Sequence, residues 1–263
     1  MEQIYAFFGA LSYEFRMQIR RWPIWAAFAI LAALLFLASN PPSFKEPATG
    51  LSQFIAFTAF QFNIFVPIVA GIFLADRLPR DRKTHVDEVL NTLTSGPGAR
   101  FFGKFAGCTL ATLVPLFCLY AVHMGRLIFL MQQARVLPPN GVSIALLTAL
   151  AAFAGMVLPG ILFVSAFSLA CTTVIWVPLY QFLFICYWFW GNLLPSNRGI
   201  PTLSGTMLTP IGTYPALGFF NKVAGPVKQA TALQATESIL LLLGLALLAL
   251  LIAWRYQAWR QYR

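Results

Sequence analysis

Charged residues are scarce in this chain. Only 10% of its 263 residues are charged, whereas soluble domains carry about 25%. Acidic residues are the scarcest, with 8 Asp and Glu against 18 Lys and Arg, while 59% of the residues are hydrophobic. This composition excludes an ordinary soluble domain and is typical of a membrane protein. The net charge of +10 is explained by Lys and Arg on the cytoplasmic side, so no nucleic-acid partner is predicted.

Metal-ligating and catalytic residues are also sparse. The four cysteines lie in apolar stretches without close spacing, and we interpret them as buried small hydrophobic residues: Cys108, Cys118, Cys171 and Cys186. The two histidines, His85 and His123, are too far apart to predict a zinc or copper site. No Ser/His/Asp or paired-carboxylate pattern is visible either. We therefore predict no catalytic residue and no metal site.

Nucleotide-binding motifs are missing from the chain. There is no G-x-x-x-x-G-K-[ST] phosphate loop, because the pair Gly103-Lys104 lacks the upstream glycine. The chain is therefore not predicted to be an enzyme that hydrolyses ATP by itself, nor to bind a cofactor. Its long apolar runs contain no acidic residue, whereas proton- or sodium-coupled carriers usually place ionisable groups at mid-membrane. Any transport would therefore draw its energy from a partner.

Six long apolar runs predict an all-α membrane protein that forms a single transmembrane domain over residues 1–263. The stretch from Val142 to Trp190 contains no charged residue and is about twice as long as one span, so it holds two. We expect the break between them near residues 171–173. The predicted spans cover residues 22–39, 54–75, 100–124, 142–170, 173–193 and 238–254.

Two segments outside the spans have apolar patterns of their own. In residues 4–21, apolar side chains recur at helical spacing, which predicts an amphipathic helix at the membrane interface. Residues 194–235 are rich in proline and glycine but contain apolar pairs such as Phe219-Phe220. A structureless loop of this length is unusual, so we expect short helices folded back into the outer membrane surface.

Two polar residues, Gln61 and Asn63, lie inside the second predicted span. Exposing polar groups to lipid at that depth is costly, so we expect both to face another helix or a cavity. Hydrogen bonds between packed helices are one explanation, and a place in a substrate pathway is the other.

The densest charge lies between the second and third spans, from Asp76 to Lys104. Its middle predicts an amphipathic helix over residues 84–94, because Val86, Val89, Leu90 and Leu93 fall on one helical face. Thr84 can cap this helix, Asp87 and Glu88 suit its first turn, and residues 95–98, Ser-Gly-Pro-Gly, end it. Such a helix either rests on lipid headgroups or docks onto a soluble partner.

The distribution of Lys and Arg predicts the orientation. Six spans place both termini on the same side as the charged segment, and that side carries twelve of the 18 Lys and Arg residues. The positive-inside rule makes this side cytoplasmic. We therefore expect a protein of the plasma membrane, or bacterial inner membrane, with both termini in the cytoplasm.

The charged segment resembles the permease subunits of ABC-2-type ABC transporters. The resemblance rests on Arg-x-x-x-x-x-Glu-apolar-Leu, a turn, and Gly-Lys opening the next span: Arg82, Glu88, Val89, Leu90, Gly103 and Lys104. It implies an exporter-like fold of six spans with an N-terminal elbow helix at 4–21, re-entrant helices between spans five and six, and a coupling helix at 84–94.

The resemblance also implies partners. Two separate cytoplasmic ATPase subunits, which carry the ATP and magnesium, would dock onto the coupling helix, and a second permease copy or a homologous permease would complete the pathway. The implied docking residues are Thr84, Val86, Asp87, Glu88, Val89, Leu90 and Leu93, and Gln61 and Asn63 are possible pathway-lining residues. Two alternatives stay open: an ATP-independent six-span channel or secondary transporter, and a membrane scaffold that recruits a cytosolic protein.

Overall fold

A computed structural model describes residues 2–38, 50–83, 97–194, 201–221 and 227–261. Every regular element within these ranges is a helix, which confirms the predicted all-helical class. In chain order the helices are α1 (Glu2–Ile19), α2 (Trp22–Ala38), α3 (Leu51–Ala75), α4 (Arg77–Lys83), α5 (Pro97–Gln133), α6 (Gly141–Ala152), a π-turn (Phe153–Val157), α7 (Leu158–Cys171), α8 (Val177–Leu193), α9 (Thr213–Phe220) and α10 (Ala232–Gln261).

Several of these helices are long and apolar enough to cross a membrane. Within the described residues there are four such candidates: Leu51–Arg80, Gly98–Gln133, Gly141–Cys171 and Ala232–Arg260. A fifth arises if α1 and α2, which meet at an angle of 61°, together form one broken span. The sequence predicts six spans, and the remaining apolar helix, α8, has 17 residues. At about 1.5 Å per residue, α8 is somewhat shorter than the roughly 30 Å hydrocarbon core.

Helix α3 lies at the centre of the bundle. It is apolar on nearly all sides, as expected of a helix surrounded by other helices. It packs against α2, α5, α6, α7, α8 and α9. Groups attached to α3 are therefore in a position to link most of the molecule.

Specific contacts along α3 define how its neighbours run. Asn63 contacts Met156, and Gly71 lies against Val164, so α3 is parallel to the helix that contains the π-turn and α7. Gln181 of α8 bonds to the Ile72 carbonyl, and Trp188 bonds to the Ile64 carbonyl, so α8 is antiparallel to α3. The bundle therefore has the alternating directions expected of consecutive spans.

The predicted fourth span, 142–170, is one long helix interrupted by the π-turn at Phe153–Val157. The interruption lies immediately before Pro159, which has no N–H for the carbonyl four residues earlier. Widening the preceding turn accommodates the proline without ending the helix. The chain then leaves the helix at Thr172 and enters α8 at Val177, close to the predicted break at residues 171–173.

The first helix packs differently from the sequence-based expectation. Residues 7–18 of α1 run parallel to residues 103–108 of α5, with Gly103 facing the Phe7 carbonyl and Gly107 facing the Leu11 carbonyl. Helical periodicity over residues 4–21 predicts that Phe8 lies on the apolar face and that Glu14 and Gln18 lie on the polar face. In the structure Glu14 and Gln18 are buried, and Phe8 is 59% exposed. The polar side of this part of α1 thus faces the protein, because α5 supplies the polar partners described below.

The segment 201–221 folds back into the bundle instead of covering it as a loop. The backbone N–H groups of Leu203 and Ser204 both bond to the Gly191 carbonyl near the end of α8. The Pro210 carbonyl reaches Asn63, which lies near the middle of α3. The chain then turns at Gly212, whose φ is +83°, and returns along α10 as helix α9. Within residues 201–221 only α9 is helical, so this segment folds back but contains more irregular backbone than the short helices predicted from the sequence.

Candidate functional site

The predicted docking residues lie outside the described residues. These are Thr84, Val86, Asp87, Glu88, Val89, Leu90 and Leu93, and their roles stay predictions. The structure does describe what flanks them: α4, which ends at Lys83, and α5, which begins at Pro97. The candidate site therefore comprises these flanking helices and the centre of the bundle.

Asn63 is the polar centre of the bundle. Its side chain is completely buried, and its Nδ2 amide donates to the Met156 carbonyl at 3.2 Å and to the Pro210 carbonyl at 3.1 Å. It thus joins α3 to the π-turn and to the segment 201–212. Gln61, the other predicted pathway residue, is exposed on the surface of α3. The two residues therefore do not share one cavity in this structure.

Irregular backbone from three segments meets near Asn63. Pro67 of α3 lacks the N–H that would bond to the Asn63 carbonyl, and the π-turn interrupts the facing helix. The third segment contains Pro210, which lies so close to Gly160 that a side chain there would collide with the Pro210 carbonyl. Non-helical backbone at membrane depth is tolerated only where protein or a cavity surrounds it. This region is consequently a candidate for movement within the bundle.

A second group of polar contacts joins α8 to α3 and to segment 201–212. The Trp188 indole N–H donates to the Ile64 carbonyl at 2.7 Å, and Asn192 accepts a 3.0 Å hydrogen bond from the Thr209 hydroxyl. In the sequence, the last aromatic residues of the predicted fifth span, up to Trp190, resemble an interfacial aromatic belt. For Trp188 that expectation is wrong, because the side chain is buried against the middle of α3.

A cluster of buried charged and polar residues lies between α1, α5 and the start of α4. Lys104 Nζ forms an ion pair with Glu14 Oε1 at 3.2 Å, and the Cys108 thiol donates to Glu14 Oε2 at 3.6 Å. Gln18 and Arg77 lie beside the same thiol. We call these five residues the α1–α5 cluster. Burial of this many polar groups is expensive unless each is paired, so the cluster is a specific structural feature.

Two glycines make the α1–α5 cluster possible. A Cβ atom on Gly103 would lie 2.5 Å from the Phe7 carbonyl oxygen, and one on Gly107 would lie 2.5 Å from the Leu11 carbonyl oxygen. Their spacing is G-x-x-x-G, which allows two helices to approach closely. This signal is present in the sequence, although the ABC-2 resemblance uses Gly103 and Lys104 only as the opening of a span. Recognising the glycine pair would have predicted a helix packed against α5 at this point.

The described residues contain no group of three or more His, Cys, Asp or Glu that could hold a metal ion. Comparison with known protein families, with characterised proteins and with solved structures finds no match. The fold and the site thus define an all-helical protein with apolar helices compatible with membrane insertion.

Proposed function

We propose that this chain is the membrane-spanning permease subunit of an ATP-driven ABC transporter of the ABC-2 exporter type. In this proposal it has six spans in the plasma or bacterial inner membrane, with both termini in the cytoplasm. Two copies, or this chain and a homologous permease, surround the pathway, and two separate ATPase subunits dock onto residues 84–94. The chain itself performs no ATP chemistry.

The observation that best supports the proposal is the position of Gly103 and Lys104. They belong to the motif that resembles ABC-2 permeases, and the structure describes their surroundings. Both lie in the contact between α5 and α1. Because α5 begins at Pro97, directly after the proposed coupling helix, a push on residues 84–94 would act on α5 and α1 as one packed unit. That arrangement suits the transmission of force from a cytoplasmic partner.

The centre of the bundle offers a place where this force could act. Asn63 holds together three segments of interrupted backbone by hydrogen bonds that a small displacement would break. In the proposed mechanism, closure of the ATPase dimer displaces the inner ends of the helices around α3. The segment 201–212 is then released from Asn63, and the pathway opens on the outer side.

Co-purification tests the class of protein. We expect a tagged chain, extracted in mild detergent, to carry with it a stoichiometric ATPase that contains a phosphate loop, identified by mass spectrometry. Crosslinking from residues 86–93 should capture the same protein. If neither experiment captures an ATPase, the coupling-helix hypothesis is wrong, and a channel or secondary transporter becomes the better explanation.

Glu88→Arg tests the docking residues. We propose that Asp87 and Glu88 face basic groups of the ATPase while Val86, Val89 and Leu90 fill its groove. A charge reversal at such a contact brings like charges together, which costs several kcal/mol. ATPase retained on the purified complex should therefore fall by about ten-fold or more, and the remaining ATP hydrolysis should no longer be coupled to transport.

The matched control for this variant is Glu237→Arg, which makes the same charge change at an exposed position near the start of α10. It should retain the ATPase at the wild-type level. Both variants should elute from size exclusion as the wild type does, because neither changes a described buried contact. Full ATPase retention and normal transport by the Glu88→Arg variant would contradict the assignment.

A further inference from the structure

Arg77 of the α1–α5 cluster is a buried cation whose hydrogen bonds are incomplete. Its side chain lies at the end of the apolar stretch of α3, and the residue is only 2% exposed. The Nε and Nη1 groups are both buried and have no hydrogen-bond partner in the structure. A guanidinium remains charged in proteins, so it cannot escape this situation by losing a proton.

The carboxylates near Arg77 do not complete its hydrogen bonds. Glu14 is one of them, but its Oε1 pairs with Lys104 Nζ and its Oε2 accepts from Cys108. Asp76 is the other, and Arg77 Nε and Nη1 still have no acceptor. Buried N–H groups of a charged side chain are costly when they lack an acceptor, and the oxygens of an anion held at this point would supply the missing hydrogen bonds.

We propose that Arg77 of the α1–α5 cluster binds a phosphate group at this end of the bundle. The position favours phosphate, because Arg77 lies where the apolar run of residues 54–75 gives way to charged residues, at the level expected for lipid headgroups. Arginine is also the side chain best suited to phosphate recognition. The phosphate belongs either to an anionic lipid or to a free phosphate ion, since the two present the same chemistry.

The surroundings of the α1–α5 cluster are compatible with entry from the membrane surface. The ion pair at its edge is not fully closed off, since the side chains of Lys104 and Glu14 are 10% and 7% exposed. Helix α1, which carries Glu14 and Gln18, also exposes Ile4, Tyr5 and Phe8 nearer its start and so offers acyl chains an apolar surface. The inference depends on Arg77 alone and does not require the proposed transport function.

The test is a thermal unfolding series on the purified full-length chain in an uncharged detergent and a phosphate-free buffer. The probes are phosphatidylglycerol, phosphatidylcholine and inorganic phosphate, each titrated separately. We expect phosphatidylglycerol to raise the apparent Tm of the wild type more than phosphatidylcholine does. A rise with inorganic phosphate alone would identify the free ion as the source of the phosphate group.

Arg77→Gln is the decisive variant, and Arg80→Gln is its matched control on the same short helix, where Arg80 is exposed. In Arg77→Gln the apparent Kd of the stabilising probe should rise about ten-fold or more, because hydrogen bonds to charged groups are lost. Arg80→Gln should respond as the wild type does. Without any probe, Arg77→Gln should be at least as stable as the wild type, because it removes a buried cation whose hydrogen bonds are incomplete.

Three results would overturn the proposal. The first is a wild type whose Tm rises no more with phosphatidylglycerol than with phosphatidylcholine and does not rise with inorganic phosphate. The second is an equal response of Arg77→Gln and the wild type, which would show that any stabilisation occurs elsewhere. The third is an Arg77→Gln protein that fails to fold or unfolds at a much lower temperature without any probe, which would show that Arg77 already has a structural partner.

Discussion

At the scale of single residues, Asn63 illustrates how one buried amide joins three segments. We expect Asn63→Leu to lower the free energy of unfolding by about 1–3 kcal/mol, because the Met156 and Pro210 carbonyls lose their donor. Thermal unfolding in detergent measures the change. Protease cleavage within residues 201–212 should become faster at the same time, because this segment loses its contact with α3.

Gln61→Leu is the control for that variant, because it places the same side chain two positions earlier on the exposed surface of α3. Its stability should change by no more than about 0.5 kcal/mol, as is usual for surface substitutions. If Asn63→Leu were as stable as Gln61→Leu, the hydrogen bonds of Asn63 would not hold the segment 201–212 in place.

The sequence identified Asn63 but not its partners, for a physical reason. An amide inside an apolar run must find a partner, and this requirement is visible from the sequence. Its partners are main-chain carbonyls that lie 93 and 147 residues away, and every residue has such a carbonyl. Glu14 was misplaced for a related reason, because helical periodicity separates apolar from polar faces without showing which face another helix covers.

At the scale of helices, the close contact between α1 and α5 requires residues without a side chain, Gly103 and Gly107. We expect Gly107→Leu to separate the helices, because even a Cβ atom would lie 2.5 Å from the Leu11 carbonyl oxygen. The Glu14–Lys104 ion pair would then become exposed. The expected result is a lower apparent Tm together with rapid proteolysis of residues 2–19.

Gly125→Leu is the matched control on the same helix, because nothing lies within 4 Å of a Cβ atom at that position. Its Tm and its proteolysis pattern should stay close to those of the wild type. Equal damage from both variants would show that leucine disturbs α5 itself, and the close approach of α1 would not be the cause.

The predicted ends of the spans match the helix ends only where the helix stops together with the apolar run. The third predicted span, 100–124, is part of a helix that continues to Gln133, because nothing stops a helix before Arg135 adopts a positive φ. In the fourth span, the pair Pro159-Gly160 is a sequence signal for a kink, and the π-turn at Phe153–Val157 lies close to it. The π-turn itself could not be predicted, because it depends on how the facing segments pack.

At the scale of the whole molecule, the contacts between helices show how far each helix extends along its neighbours. Because α8 is antiparallel to α3 and ends near Asn192, it stops short of the end of α3 at Leu51. The segment 201–212 fills the space beyond α8 and bonds to Gly191. The short helix α8 and the folded-back segment 201–212 thus follow one another along α3, and together they extend about as far as one full span.

This arrangement makes a definite prediction about topology. If helices 141–171 and α8 both cross the membrane, Asn140 and Trp176 lie on opposite sides, with Trp176 on the side of the N-terminus. Both positions are exposed, so each can carry a single reporter cysteine in a chain whose four native cysteines are replaced by alanine. A membrane-impermeant maleimide added to intact cells should label the Asn140→Cys variant directly.

The same reagent should label Cys at position 176, or at position 3, only after the membrane is permeabilised. The reason is the bias of Lys and Arg, since positively charged segments are retained on the cytoplasmic side. Labelling of position 176 from outside together with position 140 would mean that residues 141–171 do not cross the membrane. Labelling of position 3 from outside would place the charged segment 76–104 outside as well, because two predicted spans lie between them, and a cytoplasmic ATPase would then have no place to dock.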